Sequence, residues 1–187
     1  MNKKLIVLSG KKRVGKDTVA NLFNDYTQRK YELRAFAEPV KEIVSKVTRQ
    51  TPYTLDLFKD FKMVGIDSID SNLTIRELYR KTADFYKDLL GEDIFAKLLL
   101  RKIVNERFDY PRVIITDMRF KAEYEQMKLL DPVFIRVKCR MGNMDTHPSE
   151  IDLDDVPDSD FHFIIDNTGT RTQLKEQIQT IVKKLRI

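Results

Sequence analysis

Apolar residues fall into two rhythms along the chain, and their alternation outlines the fold. Leu5 to Leu8 is a short, continuous apolar run broken at Ser9-Gly10, the pattern of a strand buried on both faces. Beyond Lys16, the residues Val19, Leu22, Phe23 and Tyr26 keep i, i+3, i+4, i+7 spacing, so a helix follows the glycine-containing turn directly. Leu33 to Ala37 reads as a second strand, after which Pro39 opens a helix carrying Val40, Ile43, Val44 and Val47 on one face. Residues 49–73 lose periodicity and predict an irregular excursion on the substrate side of the fold.

Order returns at Thr74-Ile75-Arg76-Glu77, a capping box that starts a helix through Leu78, Tyr79, Thr82, Tyr86 and Leu89 to Gly91. A second helix is expected from about Asp93 to Glu106. Val113 to Thr116 is another buried strand, and Phe120, Tyr124 and Met127 mark a helix after it. Val133 to Val137 and Phe161 to Ile165 complete the strands, and Thr170-Arg171-Thr172-Gln173 caps a last helix bearing Leu174, Ile178, Ile181, Val182 and Leu185. Strands alternating with helices predict an α/β fold, a parallel sheet with helices on both faces.

Composition narrows the class. The 187 residues are 42% hydrophobic and 34% charged, enough apolar material for a core and too much for disorder. The single cysteine, Cys139, excludes an internal disulfide, and with only His147 and His162 beside it no zinc-type cluster can form. The early apolar run of Leu5 to Leu8 is too short for a signal peptide or a membrane span, so a soluble, unexported chain is expected. Thirty-four basic against 29 acidic residues give a net charge of +5, which suits either a nucleic acid or an anionic small molecule.

The chemistry is concentrated in the turn after the first strand. Gly10-Lys11-Lys12-Arg13-Val14-Gly15-Lys16-Asp17-Thr18 fits G-x-x-x-x-G-K between a strand and a helix. In that setting backbone N–H groups and the helix N-terminus cradle phosphates while Lys16 reaches the transferred phosphoryl group. Asp17 stands where such loops usually carry Ser or Thr for Mg²⁺; it can bind the ion directly or through water, or simply complement the helix dipole.

Ligands of parallel sheets gather beyond the carboxyl ends of the strands, and those ends carry Glu38 to Lys41, Asp117-Met118-Arg119, Lys138-Cys139-Arg140 and Asp166-Asn167-Thr168-Gly169. Asp117 can orient Mg²⁺ or its waters, and Arg119 can hold an acceptor phosphate or offset transition-state charge. Arg76 and Arg80, four apart on one helix, form either a phosphate clamp or a solvated face. Met141 to Glu150 suggests a mobile cover, in which His147 reads as a loop hydrogen-bonder before an acid or base. Tyr53, Phe58, Phe61, Tyr79, Phe85 and Tyr86 supply rings on the acceptor side that can pack on a sugar and reject a 2′-hydroxyl, by a modest factor.

Taken together these residues resemble the bacteriophage deoxynucleoside monophosphate kinases, a family of P-loop kinases. The loop Ser9 to Thr18 is similar to that family's S-G-x-K-R-x-G-K-D-T, including the aspartate at Asp17. Ala37 to Lys41 resembles its A-x-P-hydrophobic-K, Asp117-Met118-Arg119 its D-x-R, Asp145-Thr146-His147-x-x-Glu150 its D-T-H-x-x-E, and Asn167-Thr168-Gly169 its N-x-G turn. The departure is Thr82-Ala83-Asp84, where the family continues to a G-T pair.

The resemblance implies one P-loop kinase domain over residues 1–187, with an acceptor-side helical region at about 49–108 and a lid at about 139–150. It implies γ-phosphoryl transfer from ATP, with Mg²⁺, to a deoxynucleoside 5′-monophosphate. Lys16, Arg13, Arg119 and Asp117 would be catalytic, with Asp17 and Asp117 towards the metal. Gly10, Lys11, Lys12, Val14, Gly15, Asp17, Thr18, Arg140, Asn167 and Gly169 would hold ATP. Glu38, Lys41, Arg76, Arg80 and Glu150 would hold the acceptor. Partners would be small nucleotides, with no nucleic acid and no membrane, and a homodimer stays open. Such a protein would be cytoplasmic, in the host if phage-encoded.

Phosphomevalonate and dephospho-coenzyme A kinases share the loop and remain alternatives, as does a non-enzymatic nucleotide switch. A nucleic-acid binder would use the +5 charge, but the basic residues converge on strand ends and no nucleic-acid motif appears.

Overall fold

The computed structural model describes residues 2–28, 30–62, 72–105, 112–139 and 147–187. In chain order they form β1 (Asn2–Ser9), α1 (Lys16–Tyr26), β2 (Glu32–Arg34), α2 (Glu38–Thr48), α3 (Pro52–Leu57), α4 (Ile75–Leu90) and α5 (Ile94–Asn105). There follow β3 (Val113–Met118), α6 (Lys121–Lys128), β4 (Pro132–Lys138), α7 (Pro148–Ile151), a 3-10 turn (Asp158–Asp160), β5 (Phe163–Asp166) and α8 (Arg171–Leu185).

The five strands make one sheet in the order β2-β3-β1-β4-β5, and each neighbouring pair is parallel. β1 is central, so its alternate residues feed two cores: Ile6 and Leu8 pack with Val19, Phe23, Leu174 and Ile178 of α1 and α8. Leu5 and Val7 pack on the opposite face with Leu99 and Ile103 of α5 and with Tyr124, Phe134 and Phe161. Burial on both faces explains why the strands read as continuous apolar runs. A third, smaller cluster of Val44, Leu55 and Ile75 ties α2, α3 and α4 into a wall beside the sheet. Among the described residues no helix is long and apolar enough to cross a membrane.

Three segments differ from the sequence-based expectation, each for a local reason. β2 ends at Arg34 instead of Ala37, because the Phe36 and Ala37 amides turn to donate to the Asp117 carboxylate, 2.7 and 3.1 Å away. The irregular excursion contains α3, begun by Thr51, whose side chain accepts from Thr54 N while Pro52 takes the first helical turn. β5 starts at Phe163, since Phe161 is drawn under the sheet into the aromatic group of Tyr124 and Phe134. The expected helix end at Glu106, and most of the proposed lid, residues 140–146, lie outside the described residues.

The turn leaving β1 passes very close to β4. A Cβ on Gly10 would stand 2.5 Å from the Val137 carbonyl oxygen and 2.9 Å from Val14 Cγ2, and Gly10 has φ of 149°. Neither a backbone carbonyl nor that conformation accommodates a side chain. Gly10→Ala is therefore expected to lower unfolding free energy by about 2–4 kcal/mol, read from urea denaturation. A loss below about 0.5 kcal/mol would mean that the turn relaxes freely.

Candidate active site

The loop between β1 and α1 ends on a helix N-terminus that no side chain caps. Gly15, in the left-handed region at φ 91°, is the N-cap of α1. The first-turn N–H groups and the positive end of the helix dipole are thus left without a side-chain acceptor, an arrangement that suits an anion. Arg13 also has a left-handed backbone, at φ 65°, a conformation that costs any residue with a Cβ. Lys16 is buried and folds back, its Nζ donating to the carbonyls of Gly10 (2.5 Å) and Lys11 (2.8 Å). Burial, followed by the charge of Arg119, lowers the Lys16 ammonium to about 8 despite the nearby Asp117, Glu150 and Asp17. Asn167, at the end of β5, donates from Nδ2 to Val14 O at 2.9 Å and braces the loop from the other side.

Beside the loop lies a cavity of about 460 Å³. The loop supplies Arg13, Gly15, Lys16, Asp17 and Thr18, and the end of β3 supplies Asp117 and Arg119. The β2–α2 turn and α2 supply Phe36, Ala37 and Lys41. One face of α4 supplies Arg76, Tyr79, Arg80, Ala83, Asp84 and Lys87. Eight cationic side chains, adding Lys59, face five acidic ones, adding Asp56 and Glu123. Phe36, Phe95 and Phe120 give it apolar patches of the size of a flat ring.

Several of the cations are held in place. Arg76 donates to Asp60, from Nε at 2.6 Å, and Lys41 to Asp56 at 2.6 Å. Lys87 is buried with its Nζ 3.0 Å above the centre of the Phe120 ring. The Tyr79 hydroxyl is buried without a hydrogen-bond partner among the described residues. Burial and the Asp56 charge push its hydroxyl up to about 12, so it remains a donor.

The floor of the cavity contains two carboxylates with distinct partners. Both Asp117 oxygens accept from the Phe36 and Ala37 amides, and burial pushes its carboxyl up against the pull of those bonds. Glu123 accepts from the Arg119 amide at 2.8 Å and the Phe120 amide at 3.0 Å, which fixes the turn that carries Arg119. Burial, reinforced by the Asp117 charge, pushes the Glu123 carboxyl up to about 8.

The cavity thus gathers Lys16, Arg13, Arg119, Asp117, Asp17, Gly15, Thr18, Lys41, Arg76 and Arg80 from the sequence-based set. Gly10, Lys11 and Val14 line a second cavity behind the loop, of about 510 Å³, together with Arg119 and Glu150. Lys12 turns its amide to Glu150 Oε2, at 2.6 Å. Glu38 is not in the main cavity: it accepts from Arg34 Nε and from the Ala35 amide at 2.8 Å, and so shapes the turn that Asp117 holds. Gly169 lies against the Gln173 side chain at the start of α8, away from both cavities. Arg140 lies outside the described residues. Of the expected sugar-facing aromatics, only Tyr79 lines the main cavity, whereas Tyr53, Phe58, Phe61 and Phe85 are exposed.

Sequence reasoning passed over Lys87, Glu123 and Asp56. Lys87 was legible, since it continues the Arg76, Arg80 face of α4 by one further pair of turns. Glu123 was not, because the residue it caps is Phe120, which carries none of the usual N-cap side chains. Asp56 sits in α3, within the stretch read as irregular.

A buried glutamate of this kind titrates with folding. Glu123 ionises at an ordinary 4.5 when exposed and at about 8 in the fold, so the folded state holds more protons across that window. Stability contributed by its neutral form is lost as pH rises from 4.5 through 8. Glu123→Gln keeps an oxygen for both amides and cannot ionise. Its unfolding free energy relative to the parent should therefore rise by at least about 1 kcal/mol between pH 5 and pH 8.5 in urea melts. A difference that does not change with pH would place the ionisation elsewhere.

Comparison with known proteins agrees with this architecture. Residues 4–70 match the family described as deoxynucleotide monophosphate kinase, a span that includes the whole loop and the turn held by Asp117. No curated protein matches the chain. Among solved structures, a dephospho-CoA kinase from Campylobacter jejuni superimposes over 98% of this chain and 97% of that one, with 12% identity and a TM-score of 0.56. A shikimate kinase from Acinetobacter baumannii in complex with shikimate covers 99% of this chain and 94% of its own at 11% identity and a TM-score of 0.46. The chain thus shares its α/β fold with that dephospho-CoA kinase, and over residues 4–70 it is similar to the deoxynucleotide monophosphate kinase family.

Proposed function

We propose that the protein transfers the γ-phosphoryl group of ATP to a deoxynucleoside 5′-monophosphate, giving the deoxynucleoside diphosphate and ADP. The observation that carries this reading is the single cavity joining Lys16 and the N-terminus of α1 to the arginine-bearing face of α4. A donor triphosphate and an acceptor phosphate could meet there across one wall. The family match over residues 4–70 supports the same acceptor class.

The chemistry asks for positioning and charge more than for covalent help. The amides of Gly15 to Thr18 and the α1 dipole would hold the donor phosphates. Lys16, on leaving the Gly10 and Lys11 carbonyls, would follow the transferred group. Arg76, Arg80 and Lys41 would bind the acceptor phosphate, and the Tyr79 hydroxyl is a ready donor for an acceptor oxygen. An acceptor phosphate oxygen forms the new P–O bond as the bond from γ-phosphorus to the β–γ bridging oxygen breaks. The acceptor is already anionic, so no general base is needed.

The donor set fits magnesium only in part. Among the described residues no three His, Cys, Asp or Glu side chains gather as a metal cage, so phosphate oxygens and water would complete the shell around Asp17. A bound Mg²⁺ would neutralise phosphate charge. Asp117 commits both oxygens to amides and would act on that shell through water at most.

A second reading, transfer to dephospho-coenzyme A, is favoured by the superposition on a dephospho-CoA kinase. The deciding assay is coupled ADP release with dGMP and GMP, dTMP and UMP, dCMP and CMP, dAMP and AMP, dephospho-coenzyme A and phosphomevalonate. At least one deoxynucleotide should exceed its ribonucleotide counterpart by about 10- to 10³-fold in kcat/KM. In that assay Lys16→Ala should cost about 10³ in turnover or more. Activity confined to dephospho-coenzyme A or phosphomevalonate would displace the proposal. For Asp17→Asn, the expected result is a higher Mg²⁺ concentration at half-maximal rate, and an unchanged titration would leave Asp17 as a partner of the helix dipole.

A further inference from the structure

Outside the roles above, one buried charge stands where the two sides of the site meet. We propose that Glu150 is a positioning residue: it ties the phosphate loop to Arg119 and so sets where that guanidinium stands relative to the terminal phosphate of a bound nucleotide. The Glu150 side chain is wholly buried, and its two oxygens go to different parts of the site. Oε2 accepts from the Lys12 amide in the loop at 2.6 Å, and Oε1 from Arg119 Nη1 at the end of β3. A buried carboxylate is tolerated only when paired and hydrogen-bonded, so the pair constrains the loop as much as the arginine.

The segment after Glu150 anchors it to the same elements. Asp152 accepts from the Lys121 amide at 2.6 Å, Asp154 from Lys11 Nζ at 2.8 Å, and Asp155 from Lys121 Nζ at 2.5 Å. Asp158 accepts from Arg136 at 2.8 Å and from Lys138 on β4. Residues 152–158 are thereby tied to the loop, to the start of α6 and to β4, through pairs that mostly reach solvent and add little singly. A free arginine gives up rotamer entropy when it is fixed; one already held by Glu150 has less to lose on meeting a phosphate. Arg119 and Lys16 line the same cavity, and the charge of the first acts on the second, so both cations face one space.

This inference rests on the phosphotransfer reading, and its test separates the two. A double-mutant cycle of Glu150→Gln and Arg119→Ala is measured in two ways: as kcat with whichever acceptor the parent uses, and as the affinity for a non-hydrolysable ATP analogue relative to ADP, which needs no acceptor. Glu150→Gln leaves one acceptor oxygen where the Lys12 amide and the Arg119 guanidinium now use two, so it should lower kcat about tenfold or more and the triphosphate preference about fivefold. The double variant should lose no more than about threefold beyond Arg119→Ala alone, because the two residues act as one unit.

Asp155→Asn, which loosens the same segment away from the cavity, should lower Tm slightly and leave both readouts unchanged. If Glu150→Gln does not fold, Glu150→Asp, one methylene too short to reach both donors, takes its place in the cycle. Losses that multiply, or a Glu150 variant within twofold of the parent in both readouts, would overturn the proposal. A parent that turns over no acceptor yet shows the coupled loss of triphosphate preference would overturn the phosphotransfer reading and leave Glu150 in its role.

Discussion

Parallel alignment of the strands is the constraint from which the site follows, because it brings the carboxyl ends of β1, β2, β3, β4 and β5 to one edge. Residues as far apart as Val14 and Asn167 come within hydrogen-bonding distance there without any contact between them having to be specified locally. The alignment depends in turn on β1, whose Ile6, Leu8, Leu5 and Val7 supply both cores, and on the close pass of Gly10 over Val137 that lets the loop leave the sheet. Apolar burial therefore decides where the loop begins, and backbone sterics decide that it begins with glycine.

Charge then determines how the edge is finished. A cavity lined by eight cations would repel itself in the absence of an anion, and the fold offsets this with carboxylates placed behind or between the cations: Asp60 on Arg76, Asp56 on Lys41, Glu150 on Arg119. These pairs are unequal. Those of Asp60 and Asp56 reach solvent and contribute little to stability, whereas Glu150 is sealed from water and its loss would strand a charge. Lys16 is held in another way: burial and the facing Arg119 lower its ammonium, Asp117, Glu150 and Asp17 oppose that, and its bonds to two loop carbonyls fix where it stands.

The parts legible in the sequence were those where one physical rule acts alone. Leu5 to Leu8 is apolar because both faces are buried, and Gly10 to Thr18 is recognisable because a phosphate loop needs glycine and lysine at fixed spacing. Thr74 and Glu77 announced α4, since a capping box is a local matter, and the structure has both of its bonds. The rest was hidden where two rules compete. β2 stops at Arg34 because a side chain 80 residues away takes its next amides, which no window around Leu33 can reveal. Phe161 looked like part of a strand, yet its ring packs under the sheet instead of extending the ladder. The family resemblance implies that Glu38 and Glu150 hold the acceptor, whereas the structure gives each a backbone amide to hold.

That last point bears on what acidic residues do around a phosphate site. A carboxylate in contact with an unprotonated phosphate oxygen is repelled by it, and strongly so where water is scarce. It can, however, decide the orientation of what binds the phosphate. Asp117 holds the Phe36 and Ala37 amides, Glu123 holds the Arg119 and Phe120 amides, and Glu150 holds the Lys12 amide and the Arg119 side chain. Each acid accepts from donors adjoining the cavity, and the three together fix the β2–α2 turn, the β3–α6 turn and the loop. Arg119 is gripped twice, through its amide by Glu123 and through its guanidinium by Glu150. A side chain restrained at both ends is pre-organised in the sense that matters for phosphoryl transfer, where the protein contributes chiefly by holding charge in place before the reaction begins.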